Sequence, residues 1–154
     1  MADELTLQIK TTFAAVRSAN EAASRWLDDR DAPASVHYLA NLVIEELVTN
    51  SIKYGYEEAG EHVVEVRLQL SANELAVTVT DDGQPFNPLE LPAPDLQVPV
   101  QDRPIGGLGL HLLRQMSDHM EYVRADGKNR VTVHKSIGGR DVPRPMRSGG
   151  TENK

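Results

Sequence analysis

Three clusters along this 154-residue chain have residue types and spacings that could do chemistry. The first is Glu46 and Asn50 in IEELVTNSIKYGY, which fall on or beside the apolar stripe of Val36, Leu39, Ala40, Val43, Leu47 and Tyr54. Spaced i,i+4 they share a helix face, and a carboxylate with an amide oxygen there can organise Mg2+ and a water or hydroxyl nucleophile. The second is ELAVTVTDDG, where strand alternation puts Leu75, Val77, Val79 and Asp81 on one face and Asp82 on the other. Asp81 is thus aimed inward as an acceptor-only carboxylate suited to an exocyclic amine such as that of adenine, and Gly83 permits close backbone approach to a flat base. The third is IGGLGLHLL, where Gly106, Gly107 and Gly109 run into a helix whose first N–H groups make an anion site. No Gly-Lys-Ser/Thr follows, which excludes a Walker-type loop. Taken singly, each cluster has a commoner structural reading: a satisfied helix rim, a strand-ending turn and a flexible helix entry.

The elements that must hold these clusters follow from periodicity. Leu5, Leu7 and Ile9 alternate with polar residues as a short strand, and Phe13 to about Asp29 recurs at helical spacing through Val16, Ala23 and Leu27. Asp31-Ala32-Pro33 stops that helix; Pro33 suits the first turn of a second, which runs to about Tyr54 with Gly55 at its end. Val63 to Leu70 and Leu75 to Val79 read as a hairpin around Ser71-Ala72-Asn73. From Gln84 to Pro104 periodicity is lost amid prolines, and a loop of that length is usually a functional lid. A helix from about Leu108 to Ser117 follows, then strands near Met120–Arg124 and Arg130–Lys135 joined by a Gly-Lys-Asn turn at 127–129. These elements sum to an α+β two-layer sandwich in one domain, residues 1–136, with 137–154 expected as a disordered tail.

Composition narrows the function. A net charge of −7 argues against nucleic-acid binding, which needs a concentrated basic face. With no cysteine, disulfides, thiolate metal sites and cysteine nucleophiles are excluded, and the five histidines show no paired spacing for zinc. The N-terminus MADELTLQIK lacks the basic start and apolar run of a signal peptide, and no stretch reaches the ~20 apolar residues of a membrane span. The expected location is the cytoplasm, with no membrane partner, and the length leaves no room for a second catalytic domain.

Order and context change the reading of the three clusters. A helix with Glu46 and Asn50, a strand ending in Asp81-x-Gly83, a proline-rich segment and then Gly-x-Gly opening a helix together resemble the GHKL (Bergerat-fold) ATPase superfamily. GGLGLHLLRQMSD is especially similar to its anti-sigma-factor serine kinase branch, and the likeness covers about residues 4–136. The resemblance implies a mixed, mostly antiparallel sheet covered by helices on one face, with ATP and Mg2+ as cofactors. It implies Glu46 as general base, Asn50 as Mg2+ holder and Asp81, with Gly83, as the adenine site. Gly106, Gly107, Leu108, Gly109 and Leu110 would cover the phosphates, and Thr132, in the final-strand signature Asn129-Arg130-Val131-Thr132, would lie near the adenine. Tyr54 stands where many relatives have histidine, and Pro85 replaces a glycine of the family's pattern.

The same resemblance implies a kinase that phosphorylates a serine or threonine of an anti-anti-sigma (STAS) partner and otherwise sequesters a sigma factor, acting as a homodimer. The alternative is an ATP-binding partner-switching module with little or no kinase activity; a general base at Glu46 favours the kinase. Arg103, in the lid, could meet phosphate or partner, although a solvated arginine is the commoner case. A gyrase-like ATPase would need a second domain, and a histidine-kinase fragment a helical hairpin bearing its acceptor; the sequence displays neither.

Overall fold

Alternating apolar residues in five short segments make a sheet with one buried face. The computed structural model of the chain describes residues 2–56, 62–91, 97–99 and 108–137, Leu108 as backbone alone. Strands β1 (Asp3–Lys10), β2 (Val63–Leu70), β3 (Glu74–Asp81), β4 (His119–Ala125) and β5 (Lys128–Ser136) lie in the order β1-β2-β3-β5-β4. Each neighbouring pair is antiparallel, so the mostly antiparallel sheet expected from the resemblance is found. Val64, Val66 and Leu68 of β2, Leu75, Val77 and Val79 of β3, and Val131 and Val133 of β5 are buried beneath the helices. The opposite face is polar: the hydroxyls of Thr78 and Thr132 lie 3.2 Å apart, and Arg67 pairs with Glu4 and Glu65.

Three helical elements supply the second layer. Helix α1 (Phe13–Asp28) starts at Thr12, whose Oγ1 accepts the Ala15 N–H at 3.1 Å. It buries Val16, Ala19, Ala23 and Leu27, whereas Phe13 at its first turn is 68% exposed and does not join the stripe. Helix α2 (Ala34–Val43) begins just after Pro33 and continues through two π-helical turns, Ile44–Val48 and Ser51–Gly55. Between those turns the hydroxyl of Thr49 donates to the carbonyl of Glu45 at 2.6 Å, four residues earlier, and in the second turn Ser51 Oγ lies 3.2 Å from the Leu47 carbonyl. Single π turns inside helices concentrate at functional positions, and here they carry Glu46 and flank Asn50. Helix α3 (Leu108–Met116) inserts Leu110 and Leu113 into the core. Among the described residues, no helix is long and apolar enough to cross a membrane.

Two connections refine the sequence reading. The turn between β4 and β5 is Asp126-Gly127, at φ 55° and 72°, rather than residues 127–129. Two-residue hairpins of this kind need positive φ at both positions, for which Asp-Gly is a strong signal. Asn129 therefore belongs to β5, directly opposite Asp81. Of the expected long loop, residues 84–91 include a short 3-10 turn, Pro88–Glu90, which opens with Asn87 Oδ1 accepting the Leu89 N–H at 2.9 Å. Arg103, Gly106, Gly107 and the tail after Ile137 lie outside the described residues. Ile137 itself donates its N–H to the Asn73 carbonyl at 2.8 Å and packs against the core.

Leu113 is fully buried where α3 meets the core. Leu113→Ala is expected to cost about 2–5 kcal/mol in urea unfolding, whereas Phe13→Ala should stay within about 0.5 kcal/mol of the parent.

Candidate functional site

Asp81 ends β3 beneath the second π turn and is only 8% exposed. A buried carboxylate must be supplied with donors, since burial without them is strongly unfavourable. Ser51 Oγ donates to Oδ2 at 2.7 Å, while the Gly83 N–H and Asn129 Nδ2 both donate to Oδ1 at 2.9 Å. A carboxylate offers about four acceptor positions, so one position on the Ser51-bonded oxygen is left for a ligand. Beside it lies a cavity of about 20 Å³, with Leu47, Val79, Phe86, Pro88 and Val131 as its apolar walls. Asn50, 8% exposed, lines the same cavity, so the first two sequence clusters meet there.

Glu46, half-buried on the first π turn, faces the third cluster. A Cβ built on Gly109 would land on the Glu46 carboxyl group, so only glycine lets α3 approach that side chain as it does. Burial pushes the Glu46 carboxyl above its ordinary value of 4.5, with the neighbouring Glu45 adding to the rise and Lys53 opposing it. The first N–H groups of α3 have no intrahelical acceptor and can take an anion beside Glu46. Among the described residues no group of three or more His, Asp or Glu side chains could hold a metal ion. A Mg2+ here would need the Asn50 amide oxygen and oxygens brought by its ligand and by water, the usual pattern for this ion.

Several expected site residues do other work. Gly83 is glycine because a Cβ there would fall on the Gly55 carbonyl, close enough that the Gln84 N–H donates to it at 2.7 Å; its bare backbone serves packing against Gly55. Leu110 is 2% exposed and its side chain belongs to the core, leaving only its backbone to the helix entry. Thr132 is on the wrong face: Asn129 and Val131 point toward the helices with Asp81 and Val79, so Thr132 must point outward with Thr78. It does not reach Asp81.

Asn129 and Ser51 were not among the residues expected at the site. The signal for Asn129 was the Asp126-Gly127 turn, which sets the parity of β5. Ser51 lies four residues beyond Leu47, a polar residue on an apolar stripe. At the rim, Tyr54 and Phe86 stack at 4.9 Å, and Arg124 Nη1 donates to the Gly83 carbonyl at 2.8 Å. Asp82 points outward as expected and accepts from the Tyr56 hydroxyl at 2.8 Å; burial and this contact push the Tyr56 phenol up.

The family pattern of the histidine kinase-like ATPase domain matches residues 9–135, most of the chain. The chain belongs to that family. It is 25% identical over 100 residues to the serine/threonine-protein kinase BtrW of Bordetella bronchiseptica, a match covering 65% of this chain and 70% of that protein. It is 27% identical over 86 residues to the anti-sigma F factor of Oceanobacillus iheyensis, covering 56% and 59%. It is 30% identical over 91 residues to the serine-protein kinase RsbW of Bacillus mycoides, covering 56% of each. A solved Mycobacterium tuberculosis chain with RsbU and RsbW domains shares the fold with a TM-score of 0.62 at 19% identity, over 91% of this chain and 34% of that one. The chain thus spans somewhat more than half the length of the latter two curated relatives.

The two site glycines should respond differently to alanine. Gly83→Ala strikes backbone and should destabilise by about 1–3 kcal/mol. Gly109→Ala strikes the flexible end of Glu46 in a helix that favours alanine by about 1 kcal/mol, so stability should hold. The Glu46 carboxyl, displaced toward water, should titrate nearer its ordinary value in carbon-detected NMR.

Proposed function

We propose that the chain is an ATP-dependent serine/threonine-protein kinase and anti-sigma regulatory factor, which phosphorylates an anti-anti-sigma (STAS) partner and sequesters a sigma factor. The observation that carries this reading is Glu46: a half-buried carboxylate of raised basicity, held against the N-terminal turn of α3, on the helix whose Asn50 shares a cavity with Asp81. The names of the kinase and anti-sigma relatives agree with it.

The side-chain chemistry suits the nucleotide, while the cavity at Asp81, about 20 Å³, holds about one water as it stands and must widen to admit the base. Asp81 has one acceptor position for the adenine amine, and Leu47, Val79, Val131 and Phe86 supply apolar walls for the ring. Phosphate oxygens suit the N–H groups of the first turn of α3, which begins at Leu108 and which Gly106 and Gly107 precede in the sequence, and Asn50 would hold Mg2+ through its amide oxygen. Bound Mg-ATP supplies the phosphoryl group to be transferred. Glu46 accepts the proton of the partner's hydroxyl as that oxygen becomes the nucleophile, and its raised pKa makes it a better acceptor than a solvated glutamate. The rest is positioning, which dominates phosphoryl transfer. We further place the protein in the cytoplasm as a homodimer joined near β1, an edge strand with one side unpaired in the sheet.

Glu46→Gln should keep ADP affinity in calorimetric titration and lose transfer to the partner by about 10²–10⁴-fold, whereas Asp81→Asn should lose nucleotide binding. Transfer that survives Glu46→Gln would sink the catalytic role and leave a partner-switching module.

The pH dependence has a definite sign. Transfer should rise with pH through the raised pKa of Glu46, on a limb above the ordinary 4.5; Glu45→Gln should move that limb down and Lys53→Met move it up. Because the folded-state pKa is raised, the stability linked to Glu46 is full below the unfolded value and lost as pH climbs through the folded one. Glu46→Gln should therefore raise the melting temperature at neutral pH.

A further inference from the structure

We propose that Asn129 is the positioning residue that makes Asp81 selective for a base bearing an amine, and that it ties this contact to the backbone of Gln84–Phe86. The proposal rests on the reading that Asp81 receives the base. Asn129 is 3% exposed and uses both ends of its amide. Nδ2 donates to Asp81 Oδ1 at 2.9 Å and to the Gln84 carbonyl at 2.8 Å. Oδ1 accepts the Phe86 N–H at 3.2 Å and the Tyr122 hydroxyl at 2.5 Å. Turning the amide over would set its oxygen against a carboxylate and a carbonyl, and its nitrogen against an N–H, so the surroundings dictate one orientation.

That orientation has two effects. Asp81 Oδ1 is saturated by Asn129 and Gly83, so a ligand finds its acceptor on Oδ2, beside Ser51. A base presenting an amine meets an acceptor there; one presenting a carbonyl oxygen meets a carboxylate pinned by donors, with no proton to give. A site built around a hydrogen bond rejects the analogue lacking it far better than shape alone does. The same amide also holds the backbone just after Gly83, where the chain enters the proline-rich segment. Any ligand that pulls on Asp81 therefore pulls, through one side chain, on the root of that segment. β4 takes part through Tyr122, which lies 2.5 Å from the amide oxygen.

The test compares ATP with inosine triphosphate, whose base carries a carbonyl oxygen in place of the amine and a proton on the adjacent ring nitrogen. Both are titrated against the full chain, and hydrogen exchange at the Phe86 N–H is followed by NMR with and without ATP. The wild type should prefer ATP by at least about tenfold, as expected for one hydrogen bond to a charged group, and ATP should slow exchange at Phe86. Asn129→Ala should weaken ATP more than inosine triphosphate, compress the preference by about tenfold, and abolish the response at Phe86. Tyr122→Phe, which removes one hydroxyl and keeps the ring, should move both readouts in the same direction by a smaller factor, and it decides the matter if Asn129→Ala does not fold. Equal weakening of the two nucleotides with an unchanged preference would overturn the proposal and leave Asn129 a structural residue. A wild type that binds both alike would remove the base-reading role of Asp81, and the proposal with it.

Discussion

A carboxylate at the inner end of β3 has to be given hydrogen-bond donors, and meeting that need joins most of the molecule. Ser51 comes from the helical layer, Gly83 from the chain leaving the strand, and Asn129 from the neighbouring strand. Asn129 in turn engages Tyr122 of β4 and the backbone at Gln84 and Phe86. Each partner sits on a different element, so the site exists only when the sheet order, the helix register and the hairpin turn are all correct. The arrangement is asymmetric: one carboxylate oxygen is saturated within the protein and the other keeps room for a ligand.

A second constraint is distance between backbones. Gly109 lets α3 lie against the Glu46 carboxyl, and Gly83 lets the end of β3 lie against Gly55. Both contacts fix the same long helix, one on each of its π turns. The base-reading and proton-accepting groups of the proposed function are thus set by neighbouring turns of one element, clamped at two points. The clamp comes at a cost to stability at neutral pH, since it half-buries Glu46 next to Glu45. Stability given up at a reactive group is a common trade in enzymes.

Much of this was legible from the amino-acid order. Period-two and helical patterns mark five strands and three helices, and the inward parity of Asp81 follows from its spacing to Val79 and Val77. Glu46, Asn50 and the glycine entry to α3 stand out by residue type, and their order along the chain suffices to suggest the family that the comparison confirms. The differences have two origins. A turn read at 127–129 instead of Asp126-Gly127 takes Asn129 out of the strand and hides its pairing with Asp81, whereas Thr132 enters the site only through the family resemblance, against the outward parity that its place between Val131 and Val133 gives it.

What the sequence determined by itself, then, was the set of elements, the faces they bury and the chemical types at the site, because these depend on local periodicity and side-chain chemistry. Only the tertiary structure decided which donors reach Asp81, why Gly83 must lack a side chain, how Gly109 leaves room for the Glu46 carboxyl, and why Leu110 serves the core. Those are contacts between residues as many as 63 positions apart, as Glu46 and Gly109 are. Their geometry is set by how the helical layer rests on the sheet, a quantity that no window of neighbouring residues contains.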